Sequence, residues 1–404
     1  MARLRRIRVP DPLAPYADGF RSELATLGYT AGSIEFEVWI MSLVSRWLCA
    51  QEISAEYLNS ERAQWFLDAR RASGHKRIVS KKALAPLLGY LRSQGVVPPP
   101  EVMVSQTPAD QLLDSYQRFL VEKRGLAPRS VPDYMSLARK FLKDALRRTE
   151  DPAELQAMTG PDITAFLLSE TSRLTVGAAN NTVNWLRSFL RFLHVERLVA
   201  RDLAVAVPPV ATWREARLPA TLTHAEVAAL LDSCDRSHPT GLRDFAMLIV
   251  LARLGLRASE VAGLELGDID WRAGELVIRS KGRRLDPLPL PVDVGEALVA
   301  YLRDGRPRVQ SRNVFITRHA PLRAIGRASV TNAVGRACER VGVPRVGAHR
   351  LRHALATEML RRGATLPEIG QVLRHRDLAT TAVYAKVDRL ALASVVQPWP
   401  GDAR

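Results

Sequence analysis

The chain has 404 residues, 47% apolar and 25% charged, which excludes a wholly disordered protein and is too long for one ordinary core. Lys and Arg outnumber Asp and Glu by 58 to 42, a formal net charge of +16. An excess rich in arginine, whose planar fork pairs with phosphate, points to nucleic acid before an anionic membrane.

The opening "MARLRRIRVPDPLAPY" is basic, but no apolar h-region follows it, so it does not read as a secretory signal. The longest apolar run, residues 245–251, is far too short to span a bilayer, and no membrane partner is expected. Cys49, Cys234 and Cys338 are scattered and odd in number, which excludes a disulfide framework. They are expected as core residues of a reduced, cytoplasmic, nucleoid-associated protein.

Two proline-rich seams, residues 95–108 and 205–223, break the helical patterning. They suggest a helical block at 1–105, a second at 106–207, a linker at 208–220, and a third block at 221–404. The first two share an order of motifs. "LGYTAGSI", "VSRWL", "AQWFL" and "LLGYLRSQGVV" in the first match "RGLAPRSV", "ARKFL", "ITAFL" and "FLRFLHVERLV" in the second. Each block reads as about four short helices, and the repeat as a degenerate duplication. The plainer alternative is two unrelated bundles.

The third block mixes types. "THAEVAALLDSC" and "GLRDFAMLIVLARLGL" are helical by periodicity, and "GELVIRSKGRRLDPLPLP" reads as two strands joined by a basic turn. From residue 329 to 384 the pattern is helical again, with a helix start at Thr365-x-x-Glu368 after Gly363. The fold class expected is therefore mainly α with a small β-sheet: two helical domains followed by an α+β domain.

Several residues of the third block could carry chemistry. Arg257 opens a helix in "LGLRASEVAGL", Lys281 sits in the hairpin turn, His349 and Arg352 form H-x-x-R, and His375 and Tyr384 lie in "LRHRDLATTAVY". Singly, each is more simply a solvated or packing residue. As a set they fit phosphoryl transfer. Fixed arginines stabilise charge on non-bridging oxygens, and surrounding cations favour the phenolate of a tyrosine, whose ordinary pKa is about 10. No phosphate-binding G-x-x-x-x-G-K-[ST] loop is present, so ATP is not expected.

The stretches "LARLGLRASEVAGLELGDID", "SKGRR", "VGAHRLRHALATEMLRRGATLPEIGQVLRH" and "TTAVYAKV", in this order and spacing, resemble the tyrosine recombinase (phage integrase) family across residues 221–390. The second block resembles that family's helical core-binding domain. The resemblance implies that Arg257 and Arg352 clamp the scissile phosphate and that Lys281 protonates the 5′ oxygen. His349 and His375 would bond the phosphate or move the nucleophile's proton, Tyr384 would form a 3′-phosphotyrosyl bond, and Glu260 would support. It needs no cofactor and no metal.

Double-stranded DNA is the partner implied, with a C-terminal tail linking subunits into a homotetramer on two sites. The first block would be a second DNA clamp or a module docking an accessory protein. The alternatives are a type IB-like topoisomerase and a DNA-binding accessory protein that no longer cuts. One departure stands out: Arg374 occupies the place where the family has glycine before the second histidine. It is expected either to change the local backbone or, with Arg283 and Arg284 of the hairpin turn, to contact DNA phosphate.

Overall fold

A computed structural model of the chain describes residues 6–99, 107–146, 152–210, 222–279, 285–374 and Thr381. The protein is mostly helical with one small sheet. By contacts, the described residues of Met1–Pro98 and Leu218–Arg404 gather into one compact unit, and those of Pro99–Arg217 into another. Among the described residues, no helix is long and apolar enough to cross a membrane.

The first helical block contains α1 (Ala17–Thr26), α2 (Ala31–Ala50), α3 (Ser60–Ala72) and α4 (Lys81–Ser93) around Phe20, Leu24, Met41, Leu48, Phe66 and Leu91. The second contains α5 (Pro108–Arg118), α6 (Val131–Ala145), α7 (Gly160–Thr171) and α8 (Val176–Val195) around Tyr116, Phe141, Phe189 and Phe192. In both blocks the last helix closes with the same left-handed turn. Gly95 (φ 70°) follows α4 and Arg197 (φ 60°) follows α8. The next amide then reaches back into the helix, Val96 N to Leu91 O at 3.0 Å and Leu198 N to Leu193 O at 2.9 Å. Val97 and Val199 then enter their respective cores.

The third block begins with α9 (His224–Asp232), α10 (Pro239–Leu254) and α11 (Ala258–Ala262). An antiparallel sheet follows, β1 (Ile269–Asp270), β2 (Glu275–Arg279) and β3 (Leu285–Pro289), in the order β1-β2-β3. The sequence suggested the β2–β3 hairpin; the two-residue β1 is too short to leave a periodic signal. Pro287 and Pro289 sit on β3, an edge strand where a missing N–H is tolerated. Beyond the sheet the described residues form α12 (Val292–Ala300), α13 (Arg327–Val341), α14 (His349–Arg361) and α15 (Leu366–Val372). Their core joins Met247, Leu251, Ile278, Phe315, Val334 and Leu351. The start of α15 is closed as its sequence suggests: Thr365 N donates to Glu368 Oε2 at 2.7 Å, after Gly363 at φ 87°.

The first and third blocks touch where Leu322 N donates to Leu27 O at 2.9 Å. Of the cysteines, Cys234 and Cys338 are buried, but Cys49 is exposed. The expectation that all three are core residues is corrected for Cys49, which lies one residue past the buried Leu48 on α2.

Candidate active site

The site forms where α10 ends. Gly255 takes the left-handed conformation at φ 59°, stopping α10, and a Cβ there would stand 2.7 Å from Leu373 and 3.0 Å from Leu355. Only glycine allows both the turn and the close approach. Two residues on, Arg257 is the N-cap of α11. An arginine has no acceptor with which to cap, so the helix start is closed from the other side. The Glu260 carboxylate accepts the Arg257 N–H at 2.8 Å on Oε2 and the Arg257 guanidinium at 2.7 Å on Oε1. The Arg257 side chain stays 43% exposed while that of Glu260 is 6% exposed.

Arg352 is wholly buried on α14. One terminal nitrogen donates to the carbonyl of Gly255 and the other to that of Leu373. It therefore ties the end of α10 to the end of α15. Three residues before it, His349 begins α14, with its ring edge-on to that of His353 at 4.3 Å between centroids. Partial burial, and then the positive charges of Arg352, Arg257 and Arg350, hold His349 below the ordinary histidine pKa. The structure thus brings Arg257, His349 and Arg352 into one electropositive place. His353 packs against one of them.

Arg374 lies at φ 53°, the left-handed turn that glycine would make without strain. The side chain is turned inward. It is 7% exposed, and its guanidinium pairs with Glu260 Oε2 at 3.0 Å. Desolvation by burial, together with nearby Arg257, lowers the Arg374 pKa although Glu260 opposes the change. Burial also pushes Glu260 upward, but the Arg257 N–H, its guanidinium and Arg374 outweigh it, leaving the carboxylate below its ordinary pKa. In this structure Arg374 is committed to Glu260, not presented to solvent.

Lys281, Arg283, Arg284, His375 and Tyr384 lie outside the described residues. The base of the hairpin that carries the first three is fixed. Arg279, at the end of β2, bonds Asp268 at 2.8 Å and Glu265 at 3.0 Å. Thr381, three residues before Tyr384, is buried beside Gly370 of α15. Sequence reasoning did not find the carbonyl partners of Arg352 or the Arg374–Glu260 pair. The glycine before Arg257, at the end of a strong helical pattern, was the one available signal for the former.

The sequence model of the phage integrase family matches residues 220–390. A putative integrase/recombinase, y4rA of Sinorhizobium fredii (strain NGR234), is 40% identical over 97% of this chain and 96% of its own length. The tyrosine recombinase XerD of Mycobacterium tuberculosis is 32% identical over 72% of this chain and 96% of its own. Among solved structures, XerH recombinase in a post-cleavage complex with its difH substrate covers 89% of this chain and 94% of its own, at TM-score 0.55 and 18% identity. Lambda integrase bound to a core site covers 68% and 94%, at TM-score 0.54 and 18% identity.

Proposed function

From the premise that this chain belongs to the phage integrase family of tyrosine recombinases, enzymes that break and rejoin DNA, we propose how its own residues divide the work. Arg257 holds the non-bridging oxygens of the scissile phosphate from its half-open position, and Arg352 joins it once its guanidinium turns from the Gly255 or Leu373 carbonyl that it bonds in this structure. His349 and His375 bond the same group or move the nucleophile's proton. The Tyr384 hydroxyl attacks phosphorus as it loses its proton. The P–O5′ bond breaks, Lys281 gives the leaving oxygen a proton, and a 3′-phosphotyrosyl bond remains. A 5′ hydroxyl from the partner duplex reverses the step. One phosphoester is exchanged for another, so neither ATP nor metal enters the balance. The observation that carries this reading is the convergence of Arg257, Arg352 and His349, with the Glu260 carboxylate supporting Arg257.

The domain division proposed is a first helical block to residue 105, a core-binding block at 106–207, a linker at 208–220 and the catalytic domain beyond it. The matching left-handed closures at Gly95 and Arg197 support a duplication of the first two blocks. The first block serves as a second DNA clamp. From the last turn of α3 to the first turn of α4 it carries Arg71, His75, Lys76, Arg77, Lys81 and Lys82, all exposed, and only Arg71 is paired with a carboxylate, that of Asp68 at 2.6 Å, among the ion pairs of the described residues. Arg70 braces this loop by donating to Ile78 O at 3.2 Å. Such a surface suits backbone phosphates.

The tail beyond Tyr384 joins subunits into a tetramer on two duplexes. Its apolar Leu390, Leu392, Val395, Val396 and Trp399 suit a groove of about 220 Å³ that Leu222, Val227, Leu231, Ala252, Leu355 and Met359 line. We assign the enzyme to a mobile element. Neither a topoisomerase nor a non-cleaving accessory protein is favoured by the relatives named above.

The test begins by mapping the DNA bound in cells. A nicked duplex of that sequence, incubated with the protein in EDTA and denatured, is expected to carry a covalent adduct that Tyr384→Phe abolishes. An adduct that persists in Tyr384→Phe overturns the nucleophile assignment.

A further inference from the structure

The two oxygens of the Glu260 carboxylate do different jobs. Oε1 holds the Arg257 guanidinium at 2.7 Å, and Oε2 takes both the Arg257 N–H at 2.8 Å and the Arg374 guanidinium at 3.0 Å. With both side chains of the Arg374–Glu260 pair under a tenth exposed, solvent competes little for the carboxylate. Arg374 comes from the segment just after α15, and the next residue is His375.

We propose that Arg374 is a positioning residue for DNA cleavage: by gripping the Glu260 carboxylate it sets the Arg257 guanidinium and ties that arginine to the peptide leading into His375. The inference rests on the reading of Arg257 as a phosphate ligand.

The costs at this position point away from a role in stability. A left-handed φ of 53° strains any residue with a Cβ, and glycine would remove that strain. Burial of a guanidinium is costly, and the Arg374 Nε faces no acceptor among the described residues. A buried ion pair seldom returns more stability than its desolvation removes. What Arg374 adds, against a glycine, is therefore geometry. It holds Oε2 while Oε1 holds the Arg257 guanidinium, so the shorter carboxylate cannot swing away with the longer, half-open arginine. Arg352 joins the same two stretches of chain through the carbonyls of Gly255 and Leu373. The peptides at 255–260 and 373–374 are thus joined at two points, and the phosphate-binding groups they carry move as one.

Glu260 is faced by Arg257 from its own helix end and by Arg374 from beyond α15; Arg374 is faced in turn by Asp286 of β3 and by Arg257. Removing Arg374 removes one of the cations that keep Glu260 ionised. The acidic limb of the cleavage rate then moves to higher pH.

The experiment uses the full chain and the nicked duplex above, at saturating protein. Arg374→Gly is expected to slow adduct formation about tenfold, within the range for loss of an indirect support to a charged ligand, with the acidic limb displaced upward. Arg374→Lys, which keeps the charge, restores part of the rate. In a Glu260→Gln background, Arg374→Gly changes the rate less than about twofold, because the carboxylate it acts through is gone. Arg374→Gln keeps a polar side chain but neither the charge nor the reach to Glu260, and carries the same expectation should the glycine variant not fold. Wild-type rates in Arg374→Gly and Arg374→Gln while Arg257→Ala is inactive overturn the proposal, as does an undiminished Arg374→Gly effect in Glu260→Gln. An Arg257→Ala enzyme that cleaves normally overturns the underlying reading of Arg257 instead.

Discussion

The start of α11 and the first turn of α14 each give one arginine to the same site, in opposite settings. Arg257 keeps a side chain 43% open to solvent and is steadied by one carboxylate. Arg352 is wholly buried and steadies two main-chain carbonyls itself. The proposed reaction gives both one task, the phosphate. The structure divides them into a group that waits at the surface and a group that also holds the site together. Chemistry and architecture are therefore separable at Arg257 and inseparable at Arg352.

The largest effect follows from the second case. Arg352→Ala leaves the Gly255 and Leu373 carbonyls without a donor they now have, and opens a cavity between α14 and the ends of α10 and α15. Denaturant unfolding should register a loss of about 3–5 kcal/mol, with no adduct formed at any temperature where the chain is folded. Arg257→Ala should reduce adduct formation by about 1000-fold, the scale for removing a fixed donor to a developing oxyanion. Its stability cost should stay under about 1 kcal/mol, since a half-open ion pair contributes little. Equal destabilisation by the two substitutions would break the comparison.

A smaller effect sharpens it without touching either arginine. Gly255→Ala places a methyl 2.7 Å from Leu373 at a φ of 59°. The carbonyl that Arg352 holds must then shift. A loss of about 1–3 kcal/mol is expected, accompanied by slower cleavage. Unchanged stability would mean that the turn is not what aligns Arg352.

The reach of the sequence follows the same divide. The hairpin, the helices of the third block and the Thr365–Glu368 helix start were legible because periodicity and capping are local. Arg257, His349 and Arg352 were legible as a set because their order and spacing carry the family pattern. Their environments were not, since the acceptors of Arg352 lie 97 and 21 residues away in sequence. The Arg374–Glu260 pair spans 114 residues, and no local signal announces it. Arg374 itself was visible as a departure from glycine. Its sequence allowed two readings, a changed backbone or a phosphate contact; the structure adds a partner that the sequence did not suggest, with the backbone in a left-handed turn and the guanidinium turned inward on Glu260.

The smallest effect belongs to His349, which stands beside both arginines. Partial burial and then the charges of Arg352, Arg257 and Arg350 lower its pKa from the ordinary 6.5. Between the folded and unfolded values the unfolded chain holds more protons, so stability rises with pH there. The contribution is complete above about pH 6.5 and is lost as pH falls below it. Melting temperature followed from pH 7.5 downward should therefore fall more steeply in the wild type than in His349→Gln. Arg257→Ala removes one of the cations acting on the ring, and its slope should lie between the two. An Arg257→Ala slope identical to that of the wild type would mean that the open arginine does not reach the histidine, and that the two regions do not share one field.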